Sequence, residues 1–319
     1  MPPLLSLVIP SHRRPDLLRA CLASVTRYAP SGTEIVVVDD GSAQGVVSSL
    51  AAAFPGVRRL RLARPRGFCV AANAGITATS GAIVELLNDD TEVTPGWAQP
   101  ALACFQDPLV AAVAPLVLCW PSPTNEEVRV DSAGDRYYWG GIAGKRGHQQ
   151  PLSPAYLRPR RVFGASASSA FFRRDVLLQV GGFPEFFEAY FEDVDLSFRL
   201  HWAGYHILYE PGSRVLHRVS ASYGPPCRRL LERQSLNEER VFWRNVPRRA
   251  LMHALPHHLA VLVGKAWRRW HEGGLAPFVC GRLRLLRELS ALREHRRWLG
   301  QLGSGKDLDG WEVERCFWH

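Results

Sequence analysis

Several features that identify common protein classes are missing from this 319-residue chain. Its seven cysteines are scattered without a C-x-x-C pair, so neither a zinc site nor a disulfide framework is indicated. No apolar run reaches the ~18 residues of a membrane-spanning helix. The N-terminus leads directly into a strand-like segment without a charged region, which argues against a signal peptide. We therefore expect a soluble globular protein of a reducing cytoplasm.

Glycine-rich phosphate-binding loops are also missing. The sequence contains neither a G-x-G-x-x-G fingerprint nor a Walker loop. A nucleotide would therefore have to be held by side chains and a metal ion. A nucleotidyltransferase, which also uses metal-bound carboxylates, would want a glycine-rich loop after the first strand, where this chain has residues 10–14.

Positive charge is concentrated near the C-terminus. Residues 226–300 contain sixteen Lys and Arg against six Glu, whereas the formal net charge of the whole chain is +9, which leaves the remainder close to −1. This asymmetry predicts an acidic partner, either a membrane surface or a nucleic acid. Because no known DNA- or RNA-binding motif is present, no nucleic acid is expected.

Apolar runs alternate with helical periods through the first 90 residues. The runs are expected to form strands, and the segments between them have the 3.6-residue spacing of amphipathic helices. The predicted strands are 4–10, 34–38, 57–62 and 83–87, and the predicted helices are 16–28, 46–54 and 67–75. This order predicts an α/β fold with a mostly parallel sheet flanked by helices.

Polar groups follow three of these strands. They are Ser11 with its neighbouring arginines, the pair Asp39-Asp40, and the pair Asp89-Asp90. The carboxyl ends of parallel strands share one edge, so we expect these groups to converge. Adjacent carboxylates repel each other unless a cation or abundant water is present, and a hard divalent metal ion would satisfy them. The alternative is that the acids only form turns.

The second half of the chain begins with an apolar run at 110–118, followed by an irregular, aromatic-rich segment at 119–157. A long loop of this kind is usually functional, although its aromatic side chains suit packing as well as sugar stacking. The small-residue segment 162–167 is expected to be strand-like, and a short helix is expected at 174–180. A further helix should begin near Asp193, where the cluster of acids suits either capping or chemistry.

The basic C-terminal segment has two patterns of amphipathic helices, at 228–244 and 282–298. Between them, the apolar stretch 250–264 is interrupted by Pro256. Basic amphipathic helices that contain Trp suit an anionic membrane surface. A salt-bridged helical cap on the rest of the protein is the alternative.

Six motifs, in order, resemble those of family 2 glycosyltransferases of the GT-A fold. They are VIPSHRRPDLL (8–18), VVVDDGS (36–42), RGFCVAANAGI (66–76), LLNDDTEV (86–93), FGASASSAFFRRDVLLQVGGF (163–183) and YFEDVDLSFRLHWAGY (190–205), followed by His217. The resemblance covers roughly residues 4–224 and is strongest to bacterial rhamnosyltransferase-like enzymes of surface-polysaccharide assembly. It implies a catalytic domain at 1–224, with a nucleotide-binding half at 1–118 and an acceptor half at 119–224. Residues 225–319 form the basic helical region.

The resemblance also implies a donor site. Its nucleotide-sugar contacts would come from Pro10, Ser11, Arg14, Asp39, Arg66, Gly67, Asn73, Asn88 and Asp89. Among these, Asp39 would hydrogen-bond the base. The alternative role of a helix cap or turn acid suits Asp40 better. For Arg14, the alternative to nucleotide contact is a solvated side chain at the start of the helix. Asn88 departs from the family's D-x-D metal motif, which leaves Asp90 and His217 as ligands of Mg2+ or Mn2+, with a following serine, Ser220 or Ser222.

Catalysis is assigned by the same resemblance to the pair Glu192 and Asp193. Asp193 would act as the general base of an inverting single displacement. The start of a helix lowers the pKa of an acid there, whereas neighbouring acids and burial beside Phe191 raise it, so the direction stays open. The acceptor is expected to contact Tyr138, Trp139 and Gly164.

The expected partners are a UDP- or dTDP-linked sugar donor, a saccharide or lipid-linked acceptor, and an anionic membrane surface through residues 226–300. The expected location is the cytoplasm, peripheral to the inner membrane. Two alternatives are a sugar-nucleotide-binding protein without turnover and a metal-dependent nucleotidyltransferase. Asn88, which stands in place of the first Asp of the D-x-D motif, favours the first alternative. The intact Glu192-Asp193 pair argues against it.

Overall fold

A mostly parallel sheet organises the N-terminal half of the protein. A computed structural model describes residues 4–121, 127–218, 227–303 and 308–315. Its strands are β1 (Leu5–Ser11), β2 (Glu34–Asp39), β3 (Val57–Arg61), β4 (Ile83–Leu87), β5 (Thr91–Val93), β6 (Val110–Cys119), β7 (Val130–Ser132), β8 (Asp135–Tyr137), β9 (Ala143–Lys145), β10 (Arg160–Val162), β11 (Ser169–Arg173) and β12 (His206–His217). Its helices are α1 (Pro15–Tyr28), α2 (Val46–Ala51), α3 (Phe68–Ala78), α4 (Ala98–Cys104), α5 (Arg174–Gln179), α6 (Glu192–Trp202), α7 (Arg228–Asn245), α8 (Arg248–His271), α9 (Leu275–Arg284) and α10 (Leu289–Leu302).

The strand order of the large sheet is β10-β12-β6-β11-β4-β1-β2-β3. Strands β4, β1, β2 and β3 are parallel to one another, whereas β11 runs antiparallel between β4 and β6. β5 and β7 attach to β12 and β6, and β8 and β9 form a separate hairpin. The predicted α/β fold with a mostly parallel sheet is therefore confirmed.

Helices cover both faces of the sheet because its strands are apolar on both sides. In β1, Leu7 and Ile9 face one buried cluster that includes Leu18 and Leu22 of α1. Val8 points to the opposite cluster, which includes residues of α3. Burial on both faces explains why the strands read as continuous apolar runs.

The second cluster continues into the C-terminal helices. Phe242, Val246 and Ala250 are buried in the same cluster as Phe163 and Phe198 of the preceding half. The predicted boundary between residues 224 and 225 lies outside the described residues. None of the described helices is long and apolar enough to cross a membrane.

Three local predictions were wrong. Helix α8 continues through Pro256 instead of breaking there. The proline has no N–H to donate to the carbonyl of residue 252. Met252 is 77% exposed, so water can bond that carbonyl instead. The pattern at 282–298 is divided by a 3-10 turn at Leu285–Glu288, although no glycine or proline marks the break. Of the segment 162–167, only Val162 belongs to a strand.

Candidate active site

The ends of β1, β2 and β4 meet at one edge of the sheet. Ser11 is paired in register with Asp39, and Pro10 with Val38. The Ser11 hydroxyl donates a 2.6 Å hydrogen bond to Oδ2 of Asp89, which follows β4. The predicted convergence of polar strand ends is therefore confirmed for Ser11, Asp39 and Asp89.

Asp90 lies beside His217 at the end of β12. Nε2 of His217 is 3.2 Å from Oδ1 of Asp90, and both side chains are buried. The neighbouring Asp89 is buried too, and burial together with the charge of Asp90 raises the pKa of Asp89 to about 7, against the hydrogen bond from Ser11. The edge thus concentrates carboxyl groups that are poorly solvated, which a cation would stabilise.

The residues present fit a divalent cation that is shared with phosphate oxygens. Among the described residues no group of three or more His, Cys, Asp or Glu forms a complete metal cage. Mg2+ in nucleotide sites is typically held by one or two carboxylates and the substrate phosphates, with waters completing its shell. Asp90 and His217 supply one carboxylate and one imidazole, while the half-buried Asn88 adds no charge. Ser220 and Ser222 lie outside the described residues.

Asp131 of β7 is a buried residue of this site that the sequence analysis missed. Its Oδ2 lies 2.8 Å from Nδ1 of His217 and 2.8 Å from Nζ of Lys145, and its Oδ1 lies 3.1 Å from Nδ1 of His148. Burial alone would raise the pKa of Asp131, but hydrogen bonds from the two histidines and the charge of Lys145 hold it well below its usual range. Burial alone would lower the pKa of His217, but hydrogen bonds to Asp131 and Asp90 raise that pKa to about 9. No motif surrounds Asp131, so only a count of acids within the irregular segment would have singled it out.

Asp39, the last residue of β2, and Asp40, which follows it, both accept hydrogen bonds from backbone amides. Asp39 accepts hydrogen bonds from Ser42 N at 2.7 Å and from the Ser48 hydroxyl at 2.5 Å. Asp40 accepts bonds from the amides of Arg66 and Gly67 at 2.7 and 2.9 Å. Asp39 thus holds amides at the turn after β2 and in α2, and Asp40 holds the amides just before α3, as the predicted capping role of Asp40 requires. Base reading by Asp39 stays a prediction.

The other expected donor contacts divide into exposed and engaged side chains. The side chain of Arg66 is exposed. Arg14 forms a 3.0 Å ion pair with Asp16 at the start of α1, which agrees with the alternative of a solvated arginine at the helix start. Asn73 uses its amide for a reciprocal pair of 2.8 Å hydrogen bonds with the backbone of Phe183. Its contact with a nucleotide stays a prediction.

Glu192 and Asp193 form the first turn of α6. Oδ2 of Asp193 accepts a 3.2 Å hydrogen bond from Ala167 N, while the next residue, Ser168, accepts one from Asn88 N through its carbonyl. Residues 167 and 168 thus connect the general-base candidate to the residue before the Asp89-Asp90 pair. Asp193 and the acid-bearing strand ends consequently belong to one neighbourhood.

Burial decides the acidity that the sequence left open. It raises the pKa of Asp193 despite hydrogen bonds from Ala167 and Val194. Burial and the charge of Asp193 raise the pKa of Glu192 to about 8. Burial and the charge of Asp193 also raise the pKa of Asp135, whose Oδ1 has no hydrogen-bond partner among the described residues. A raised pKa brings a carboxylate base closer to the working pH.

The expected acceptor residues are packed rather than open. Tyr138 and Trp139 are each 8% exposed, and Trp139 packs edge-on against His253 of α8. A Cβ on Gly164 would lie 2.7 Å from the Ser197 hydroxyl of α6, so its small size serves a close approach of two protein segments. The packing alternative accounts for these three residues, and acceptor contact by them stays a prediction.

Comparisons with known proteins place this site in context. The family model described as "Glycosyl transferase family 2" matches residues 6–181, slightly more than half of the chain. The match includes Asp39, Asp89 and Asp90 and ends before Glu192 and Asp193.

Two relatives come from Mycobacterium tuberculosis. A pre-mycofactocin glycosyltransferase is 30% identical over 213 residues, which are 66% of this chain and 42% of that protein. An N-acetylglucosaminyl-diphospho-decaprenol L-rhamnosyltransferase is 28% identical over 225 residues, which are 65% of this chain and 73% of that protein. In several curated relatives this chain spans less than half of the length, namely 25%, 18% and 42%.

Among solved structures, the mannosyltransferase PcManGT from Pyrobaculum calidifontis, in complex with GDP-Man and Mn2+, has a TM-score of 0.56 to this chain at 17% identity. The superposition covers 95% of this chain and 84% of that one. At this identity the likeness concerns the fold alone, and it confirms the predicted GT-A architecture.

Proposed function

The chain belongs to glycosyl transferase family 2, and from this premise we propose that it transfers a sugar with inversion from a UDP- or dTDP-linked donor to a hydroxyl of a saccharide or lipid-linked acceptor. The observation that carries the proposal is the placement of Asp193 next to the strand ends that bear Asp89 and Asp90, through residues 167 and 168. The name of one relative supports a lipid-linked acceptor, since it is an N-acetylglucosaminyl-diphospho-decaprenol L-rhamnosyltransferase.

Asp193 is proposed to remove the proton from the attacking acceptor hydroxyl. Its Oδ2 accepts a hydrogen bond from Ala167, and burial raises its pKa above that of a solvated Asp, which makes it a stronger base. Glu192, largely protonated at neutral pH because its pKa is raised to about 8, would not compete as a second charge. The acceptor oxygen then displaces the nucleoside diphosphate from the anomeric carbon.

The donor is proposed to lie over the edge formed by β1, β2 and β4. Asp90 and His217 would hold a Mg2+ or Mn2+ ion, which supplies charge neutralisation for the departing diphosphate. Ser11 keeps Asp89 oriented within this edge through its 2.6 Å hydrogen bond. Arg66, whose side chain is exposed near the same edge, is available for the nucleotide.

Incubation with UDP-, dTDP- and GDP-sugars and Mn2+ tests the proposal through release of nucleoside diphosphate. We expect release with at least one donor, and a loss of about 10²- to 10⁴-fold in Asp193→Asn with donor binding kept. Asp175→Asn is a matched control, because Asp175 also sits in a first helical turn and accepts the next amide, at 2.8 Å against 2.9 Å for Asp193. Binding without release would favour the non-catalytic alternative, and equal rates in both variants would contradict the base assignment.

We also propose that α8 holds the protein on the cytoplasmic face of an anionic inner membrane. The inner side of the C-terminal region is a salt-bridged cap, as in the pairs Arg240–Glu288 and Arg282–Glu238. The outer side of α8 is different: its large apolar residues recur at helical spacing and are strongly exposed. They are Met252 77%, Leu259 53%, Val263 71%, Trp267 69% and Trp270 70%.

This face lies opposite the buried residues of the same helix, Ala250, Ala254 and His258. The exposed Arg248 and Arg249 stand at the start of the apolar stripe. Exposed Trp together with basic residues suits insertion at the boundary between headgroups and acyl chains, aided by attraction to anionic lipid. The net positive charge of residues 226–300 makes an anionic bilayer the matching partner.

Co-sedimentation with vesicles tests the location. We expect binding to phosphatidylglycerol-containing vesicles, weaker binding to pure phosphatidylcholine, and release by salt. The double variant Trp267→Ala/Trp270→Ala should lose binding, whereas Leu109→Ala, which removes an exposed apolar side chain of the other half, should keep it. A protein that never sediments with anionic vesicles at low salt rules the membrane proposal out.

A further inference from the structure

The backbone that leads into the Glu192-Asp193 pair has an unusual conformation. Three non-glycine residues within four positions have positive φ: Glu188 at 61°, Tyr190 at 73° and Phe191 at 68°. Each such residue is strained, and such conformations persist only where the surroundings impose them. Something outside residues 188–191 must therefore hold this segment in place.

Helix α7 does so: Arg233 is ion-paired with Glu188, and one buried amide contacts the backbone at three points. Nδ2 of Asn237 on α7 donates to the carbonyl oxygens of Phe187, Ala189 and Tyr190 at 3.0, 3.1 and 3.0 Å. Oδ1 of Asn237 accepts a 2.8 Å bond from Arg240. The orientation of the amide is fixed by this chemistry, because a flipped amide would face three carbonyl oxygens with its own oxygen. Asn237 is fully buried, so water cannot replace these bonds.

Helix α7 holds the start of α6 at a second point. Asp195, two residues after the general-base candidate, accepts bonds from Asn245 at 2.8 Å and from Arg244 at 3.2 Å. The Asn237 contacts lie before Asp193 and the Asn245 contact lies after it. The turn that carries Asp193 is thus bracketed by side chains of one helix.

The opposite side of the segment faces the nucleotide-binding half. A Cβ on Gly67 would lie 3.5 Å from the carbonyl oxygen of Glu188, an ordinary van der Waals distance, so residue 188 lies against the loop before α3. Asn73 of α3 holds Phe183 by two further bonds. Residues 183–191 therefore lie between α3 and α7, and displacement from either side would move the first turn of α6.

We propose that Asn237 is a positioning residue for Asp193, so that the C-terminal helix α7 sets the orientation of the catalytic base. The inference rests on the proposed function, in which Asp193 removes the acceptor proton. Loss of the three carbonyl contacts lets residues 187–191 relax out of the positive-φ region and shifts Asp193 relative to Ala167. A displacement of about 1 Å at a catalytic group can cost about 100-fold in rate.

The test compares Asn237→Leu, which keeps the size and removes the hydrogen bonds, with Ser235→Ala. Ser235 is a matched control because it is also buried on α7 and donates to a carbonyl, that of Phe278 at 2.6 Å, on α9 rather than before α6. We expect Asn237→Leu to lower kcat about 10- to 100-fold with donor Kd and KM unchanged. Ser235→Ala should keep kcat, whatever its effect on the melting temperature. Hydrogen exchange should speed up at residues 187–193 in Asn237→Leu alone.

Three results would overturn the inference. They are an unchanged kcat in folded Asn237→Leu, equal losses of kcat in both variants, and unchanged exchange at 187–193. If Asn237→Leu does not fold, Asn237→Ser, which keeps one polar group, is measured by the same criteria. Absence of turnover in the wild-type protein would instead refute the proposed function and, with it, the inference. Failure of the inference alone is recognised because the wild-type protein still turns over.

Discussion

Nε2 of His217 lies 3.2 Å from Oδ1 of Asp90. The register of β5 on β12, which pairs Thr91 with His217, brings these two side chains together at the end of the sheet. Both side chains are buried, so the Asp90 carboxylate is stabilised by a cation beside it. The protonated His217, whose pKa is raised to about 9, provides that charge, and a metal ion bound there would take its place by displacing the proton. Two predictions follow from this contact, and both are measured by metal affinity.

Asp90→Asn should weaken Mn2+ binding in the presence of a nucleoside diphosphate, because the variant loses the only charged ligand that we assign to the metal. The measurement is Mn2+ affinity by electron paramagnetic resonance or titration calorimetry, and chelation should abolish sugar transfer in the wild type. Asp107→Asn is the control, since Asp107 is exposed and lies beside His206, at the opposite end of β12 from His217. Equal affinities of the two variants would contradict the metal assignment.

Asp131→Asn should also weaken Mn2+ binding, although Asp131 is not an assigned ligand. Its Oδ2 receives Nδ1 of His217 at 2.8 Å and thereby sets the orientation of the ring. Loss of such a partner typically costs about 10- to 100-fold in metal affinity. His148→Gln, which removes a different neighbour of Asp131, should leave the affinity close to that of the wild type. An unaltered affinity in Asp131→Asn would show that His217 is oriented by other groups.

The fold was predictable from the sequence because its signals are local. The apolar runs 4–10, 34–38, 57–62 and 83–87 became parallel strands with helices between them. Breaks within the C-terminal helices were not predictable in the same way. Pro256 did not end α8, and the 3-10 turn after Arg284 has no glycine or proline to announce it.

Of the candidate site, only the residues at the ends of parallel strands were predictable. Ser11 meets Asp89 because parallel strands end at one edge. Asp131 and Asn237 were missed because their roles arise from contacts between distant segments, with no local pattern. Trp139 depends on distant contacts in the same way: an aromatic residue in an irregular segment suits packing as well as sugar stacking, and only its contact with α8, far along the chain, shows that it is packed.

Gly75→Ala should destabilise the protein, because α3 packs closely on the sheet at this residue. An added Cβ would overlap the side chain of Val8 and lie 2.9 Å from that of Val38. Overpacking of this kind costs about 1–3 kcal/mol in the free energy of unfolding. Gly300→Ala is the matched control, since it also lies in a helix but has no neighbour within 4 Å of the new Cβ. It should stabilise α10 by roughly 0.5–1 kcal/mol, and a stabilising Gly75→Ala in chemical denaturation would contradict the close packing.

Stability should fall with rising pH because of Glu85 in the middle of β4. Burial raises its pKa from 4.5 to about 8, against hydrogen bonds from Trp97 and Ser169. Below the unfolded-state pKa, Glu85 is protonated in both states and its ionisation does not affect stability. Between the two pKa values only the unfolded state ionises. The free energy of unfolding therefore falls by up to about 1.4 kcal/mol per pH unit in that range. Glu85→Gln should remove this contribution, whereas Glu294→Gln at an exposed position of α10 should not. Urea unfolding between about pH 5 and about pH 8 measures it, and parallel pH profiles of wild type and Glu85→Gln would show that Glu85 ionises equally in both states.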